Sequence, residues 1–168
     1  MILEIKKYPD KILKRKCRPV GKLTGEVKNL IADMFETMYM MKGVGLAANQ
    51  VGRNLRLCVI DPRGPDGEKN PMVLINPVVV KKSRQKITFE EGCLSFPDIT
   101  ASVTRPVKVT ISALNQEFAP LELEADGLVA RILQHEIDHL DGKTFLDRLP
   151  PLKRIKAYFL YHRNRRKK

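Results

Sequence analysis

The sequence predicts an α+β fold, with antiparallel β-sheets packed around a central helix and a further helix at the C-terminal end. Three observations carry this expectation. An apolar stripe at helical spacing lies near the N-terminus, five short apolar runs bounded by turn residues follow, and two more helical patterns close the chain. Strands joined by turns rather than by helices pair antiparallel, which separates α+β from α/β.

The first helix is expected over 24–41, where Val27, Leu30, Ile31, Met34, Phe35, Met38 and Met41 share one face. Its methionines read as core, and Gly43 reads as the residue that stops the helix. Strand runs are expected over 55–60, 73–80, 87–91, 107–114 and 121–125. Pro77 inside the second run predicts an edge or a break there. The loop over 61–71 contains Pro62-Arg63-Gly64-Pro65-Asp66-Gly67 and is expected to be exposed and mobile. The central helix follows, with Leu128, Ile132, Leu133 and Leu140 on its apolar face, Asp126 as N-cap and Gly142 as the stop. Over 152–168, Leu152, Ile155 and Phe159, with Tyr158 or Leu160, recur at helical spacing, so an amphipathic helix with a basic outer face is expected.

At 168 residues the chain suits one domain, 1–168, able to bury about 70% of its unfolded surface without disulfides. The three cysteines, an odd number, argue against a disulfide framework and for a reducing compartment. The first residues are charged almost at once and no apolar run reaches membrane length, so a cytoplasmic protein with no signal peptide and no membrane partner is expected. The net charge is +12, and its distribution is uneven: eight basic residues and no acidic ones lie between Lys153 and Lys168. That end is expected to dock on RNA phosphates rather than on a specific DNA sequence.

The chemistry is concentrated in Gln134-His135-Glu136-Ile137-Asp138-His139. Residues four apart share a helix face, so His135 and His139 can hold one metal ion. Glu136, one step round, can move a water's proton without being a ligand. A catalytic site of this kind uses three protein ligands and an open position. A common pattern places a third histidine after Gly142, but Phe145 stands there, and Asp147 is a weak substitute. The third ligand is therefore sought upstream. Cys58 lies in an apolar strand run and reads as packing; Cys17, between Lys16 and Arg18, reads as a surface thiol. Cys93 follows Gly92 and precedes Pro97, where the backbone can turn and present the sulfur. One thiolate and two imidazoles suit Fe(II), Zn, Co or Ni.

Three motifs, Gly43-Val44-Gly45-Leu46-Ala47-Ala48-Asn49-Gln50, Glu91-Gly92-Cys93-Leu94-Ser95 and Gln134-His135-Glu136-Ile137-Asp138-His139-Leu140, closely resemble those of the peptide deformylases. The resemblance runs from Tyr8-Pro9-Asp10 to the basic end and departs at no position that the family uses for chemistry. It implies hydrolysis of the formyl group from the N-terminal formyl-methionine of nascent polypeptides, in bacteria or in an organelle. It implies Cys93, His135 and His139 as ligands of one divalent ion, usually Fe(II), with Glu136 as proton shuttle. The Gln50 side-chain amide and the Leu94 N–H would hold the developing oxyanion. Val44 and Gly45 would pair with the substrate like an added strand. Val44, Phe89, Leu128, Ile132 and the His135 ring would wall the methionine pocket. Glu91 is expected among the substrate-binding residues, paired with Arg105 to brace the metal loop. For bacterial members the C-terminal helix implies a ribosome contact. A small metallopeptidase, and a nucleic-acid-binding protein with a structural metal, are the competing functions.

Overall fold

The computed structural model describes residues 1–62 and 67–166. Helix α1 (Gly25–Met40) opens on Thr24, whose hydroxyl accepts a hydrogen bond from the Val27 amide, so the short polar side chain satisfies a donor that the helix leaves free. The helix ends differently from the sequence expectation. The left-handed residue is Lys42 (φ 55°), not Gly43. Lys42 N donates to the Tyr39 carbonyl and Gly43 N to the Met38 carbonyl, the paired closure of a Schellman turn. Gly43 is set one place further on by its neighbour: a Cβ there would lie 3.2 Å from the Leu94 side chain.

Strands β1 (Gly45–Ala47), β2 (Leu57–Ile60), β3 (Met72–Lys82), β6 (Lys108–Leu114) and β7 (Pro120–Asp126) form one sheet in the order β1-β2-β3-β6-β7. Every pairing in it is antiparallel. Pro77 falls where the β3–β6 register shifts between Ile75 and Val78, so the expected break is a bulge within a longer strand. Side chains alternate across β2 and β3. Leu57, Val59, Val73 and Ile75 join a core with Met34 and Met38 of α1, while Cys58, Ile60 and Leu74 join one with Leu133, Ile137 and Leu140. The sheet is thus covered on both faces, and its second cover is helix α2 (Gly127–Leu140). Asp126 occupies the N-cap position of α2 without a side-chain cap, and Gly142 (φ 71°) stops its far end as expected.

The remaining strands, β4 (Lys86–Cys93) and β5 (Phe96–Pro106), make a separate antiparallel ribbon closed by the turn at Leu94–Ser95. The sequence reading missed β5. Pro97 and a left-handed Asp98 interrupt its start, and its half-exposed polar alternation hid the rest. The ribbon packs on a third apolar cluster of Phe96, Val103, Phe145, Leu146, Leu149 and Tyr161.

Helix α3 (Pro151–Arg165) matches the expected element but not the expected face. Leu152, Ile155 and Phe159 are exposed at 83%, 65% and 66%, whereas Tyr161 is buried. The Tyr8 ring meets Phe96 at 5.1 Å and Tyr158 at 4.9 Å, and both the Tyr161 hydroxyl and Arg165 donate to the Tyr8 carbonyl. This aromatic cluster, assembled from both ends of the chain, turns the helix and leaves its aliphatic stripe outward. Cys17 is also corrected. It is buried, its amide donates to the Leu140 carbonyl, and burial pushes its thiol up to about 11. The expected mobile loop falls in part on residues 63–66, and the end of the basic tail on 167–168, both outside the described residues.

Gly142 makes the junction between α2 and the N-terminal segment testable. A Cβ would lie 2.6 Å from the Lys14 carbonyl oxygen at a backbone angle that L side chains resist. Gly142→Ala is expected to lower unfolding free energy by about 1–3 kcal/mol, read by urea denaturation.

Candidate metal centre

Helix α2 brings His135 and His139 onto one face, with ring centroids 5.0 Å apart. Cys93 reaches them from the end of β4, where the pairing slips between Gly92 and Cys93 and the chain turns sharply. The thiol Sγ lies 3.2 Å from His139 Nε2, and one donor atom from each of the three residues falls within 4.8 Å of the others. His139 is fully buried, and its Nδ1 has no partner. Burial holds its pKa well below 6.5, so the ring is neutral, as a ligand must be. Burial also opposes charge on His135, but hydrogen bonds with Cys93 and Glu91 outweigh it and raise that pKa. Three converging donors of this kind are a set that a thiophilic divalent cation fits.

Glu136 stands beside them, buried, with Oε2 unpartnered. Burial pushes its carboxyl up to about 7, despite the opposing fields of His135 and Arg105. A carboxyl titrating near neutrality can both take and return a proton. Room for it comes from β1. A Cβ on Gly45 would lie 2.4 Å from Glu136 Oε1, so the absent side chain there is what seats the carboxylate. The sequence reading gave Gly45 the approach of a peptide; the structure adds this second reason.

Gln50 lies in the 3-10 turn Ala48–Val51. Its Oε1 accepts from the Ala47 amide at 2.9 Å, which caps the turn and aims Nε2 the other way, toward Ser95 Oγ at 3.2 Å and Cys93 Sγ at 3.5 Å. One side-chain amide thus fixes the turn with its oxygen and presents its nitrogen to the thiol. Asn49, which the sequence reading passed over, ties the same turn to α2 by donating to the His139 carbonyl at 2.5 Å.

Behind the donors lies a buried ionic cluster. Burial alone would raise Glu91, but hydrogen bonds from His135 and Arg105 hold it down at about 2. Arg105 Nε and Nη2 grip its two oxygens at 2.6 and 2.9 Å, and Oε2 meets His135 Nδ1 at 3.0 Å. The Glu91–Arg105 pair is therefore present. Arg105 also donates to Asp138 at 2.8 Å, and Asp138 in turn is bound by Arg148. Arg131 adds a second guanidinium to Glu91. Neither Arg131, Asp138 nor Arg148 was singled out from sequence. The available signal was a charge at 131, four residues before His135 and so on the same face.

A cleft of about 570 Å³ opens onto the donors. Val44, Gly45, Gln50, Leu94, Leu128, Ile132, His135 and Glu136 all border it. Val44 and Leu128 are exposed at its mouth and Ile132 is buried. Phe89 does not border it. The residue is 60% exposed on β4, with the Arg131 guanidinium 5.8 Å from its ring centre. Glu91 borders the cleft, but its oxygens are taken by Arg105, Arg131 and His135, which leaves it bracing the site rather than facing a ligand.

A cysteine sulfur, two imidazoles from one helix and an adjacent buried carboxyl group are the side chains of a metal-dependent hydrolase. The family model described as polypeptide deformylase matches residues 2–155. The chain is 48% identical to the peptide deformylase of Acinetobacter baumannii over 153 residues, covering 91% of this chain and 86% of that one. It is 47% identical to the Aquifex aeolicus peptide deformylase over 165 residues, covering 97% and 96%. The crystal structure of a peptide deformylase from Legionella pneumophila superposes with a TM-score of 0.90 at 44% identity, covering 99% of this chain and 96% of that one. The chain belongs to the polypeptide deformylase family.

Gly45→Ala is expected to displace Glu136 and cut turnover about 100-fold or more, as loss of a positioned proton carrier does, while zinc uptake stays intact. Steady-state kinetics beside metal analysis would check it.

Proposed function

We infer that this chain removes the formyl group from the N-terminal formyl-methionine of nascent polypeptides and releases formate. The observation that carries the reading is the meeting of Cys93, His135 and His139 beside buried Glu136, with Cys93, His135 and Glu136 lining one cleft. The whole chain, 1–168, would act as one catalytic domain.

Cys93, His135 and His139 would hold the divalent ion, which when bound supplies Lewis acidity. Fe(II) is the proposed native metal, by likeness to the family; Zn, Ni and Co suit the same donors. Glu136 takes a proton from the attacking water and returns it to the amine nitrogen as the carbon–nitrogen bond breaks, which yields formate and a free N-terminus. Negative charge that grows on the formyl oxygen is met by Gln50 Nε2 and the Leu94 N–H. The Val44–Gly45 backbone pairs with the peptide as an added strand, and Val44, Leu128, Ile132 and the His135 ring wall the methionine side chain. Phe89, outside the cleft, is assigned to covering Arg131 rather than to that wall.

The basic C-terminal helix would dock on the ribosome, in the cytoplasm of a bacterium. Its support is an acid-free helix whose exposed face carries Lys153, Lys156 and Arg163 beside the outward stripe of Leu152, Ile155 and Phe159. Among the described residues no helix is long and apolar enough to cross a membrane.

Anaerobic purification with elemental analysis, followed by formate release from formyl-Met and unmodified peptides, tests the reading. Hydrolysis of the unmodified peptide alone would assign a peptidase instead. Glu136→Gln is expected to keep its metal and lose about 10²–10⁴ in kcat, whereas Cys93→Ala loses the ion. Changing Lys153, Lys156 and Arg163 together to Glu is expected to weaken ribosome binding about tenfold or more at low salt and to leave kcat/KM on a free peptide unchanged, as sedimentation and kinetics would show.

A further inference from the structure

The donors of the metal centre come from two bodies that are not hydrogen-bonded as one sheet. Cys93 belongs to the β4–β5 ribbon; His135 and His139 belong to α2. A two-stranded ribbon is marginal by itself, so the thiol is only as well placed as the ribbon's attachments. The turn end is held by Phe96 in the aromatic cluster. Arg131, in the second turn of α2 and one turn before His135, reaches the middle. Its Nη1 donates to the Val103 carbonyl of β5 at 3.1 Å, and its Nη2 to the Ile87 carbonyl of β4 at 2.9 Å. These carbonyls lie on different rungs, since Val103 pairs with Phe89 and Ile87 with Arg105. The same Nη1 lies 2.6 Å from Glu91 Oε1, which also accepts from Arg105 Nε at 2.6 Å and leaves Oε2 to His135. One planar fork thus grips both strands and the carboxylate that orients a ligand ring, a geometry that a point charge cannot reproduce. Phe89 lies beside the guanidinium, and the side chain of Arg131 is 10% exposed.

We propose that Arg131 is a positioning residue for the metal centre: it clasps the ribbon that carries Cys93 to the helix that carries His135 and His139. The inference rests on the proposed reading of those three residues as ligands. Arg131 also borders the cleft, so the clasp is to be separated from a cleft-wall role.

The full chain is stripped of metal and reloaded with Zn(II) or Co(II), as wild type, R131M and R131K. Methionine keeps the stem and removes the fork; lysine keeps the stem and one charge. Zn(II) affinity is read by chelator competition, the thiolate-to-cobalt charge-transfer band by absorption, and kcat and KM on a formyl-Met peptide separately. The expected result is about tenfold weaker Zn(II) binding by R131M, with a weakened cobalt–thiolate band and a fall carried by kcat. R131K is expected to recover part of the affinity. Affinity within twofold of wild type and an unchanged band in R131M would overturn the proposal, even if the melting temperature drops or KM rises, because those changes would assign Arg131 to packing or to the substrate wall. If R131M fails to fold, R131K decides: weaker binding supports the clasp, and wild-type binding with an unaltered band overturns it. Failure of wild type to bind either metal would overturn the ligand reading itself, and is distinguishable because it precedes any comparison of variants.

Discussion

Glu91 is a single buried carboxylate shared between two guanidiniums and an imidazole, and the geometry of the metal centre depends on that sharing. A carboxylate removed from water is costly unless its oxygens are fully paired, and here they are. Breaking such a cluster by taking away one partner leaves an uncompensated charge, typically a loss of about 3–5 kcal/mol. The cost is also a constraint: with Arg105 drawn to both Glu91 and Asp138, the ribbon and α2 have one low-energy arrangement. His135 inherits its orientation from it through Nδ1, so its other ring nitrogen is left to meet the thiol and His139.

The front of the site depends on close approach rather than on charge. Gly45 lets α2 come near enough to β1 for Glu136 to sit without a partner on one oxygen. Gln50 caps a short turn with one end of its amide and faces the thiol with the other. Asn49 fastens that turn to the last carbonyls of α2. The 3-10 turn and the β4–β5 ribbon therefore contact α2 through polar side chains as well as through apolar packing. Such contacts fix distances that packing alone would leave adjustable.

Local signals were legible in the sequence where the physics is local. Gly142 as a stop and the i, i+4 histidines need only a few neighbouring residues, and each is where the pattern put it. Strand β5 was not legible, because its start is broken by Pro97 and Asp98 and its exposure depends on a ribbon partner. The buried side of α3 was misjudged for a related reason. Amphipathicity selects the aliphatic face, but Tyr8, more than a hundred residues away, packs against the aromatic one. Cys17 looked exposed between two basic residues until the end of α2 lay against it. The Glu91–Arg105 pair was legible, but the rest of the ionic cluster was not, since Arg131, Asp138 and Arg148 join it from other parts of the chain.

The outward stripe on α3 bears on how the molecule divides its tasks. Leu152, Ile155 and Phe159 would cost less free energy buried, since each fully buried side chain of this size contributes about 1.5–3 kcal/mol. The fold instead spends the helix's inward contacts on Tyr158 and Tyr161, which brace Phe96 next to the Cys93 turn. One face of α3 thereby supports the catalytic ribbon while the opposite face stays available with its basic residues. With the two faces separate, charge changes on the outer one leave the inward contacts in place, whereas removing the whole helix would take away part of the third apolar cluster. The aromatic cluster, and not the basic face, sets the position of α3, so the proposed docking face lies apart from the site.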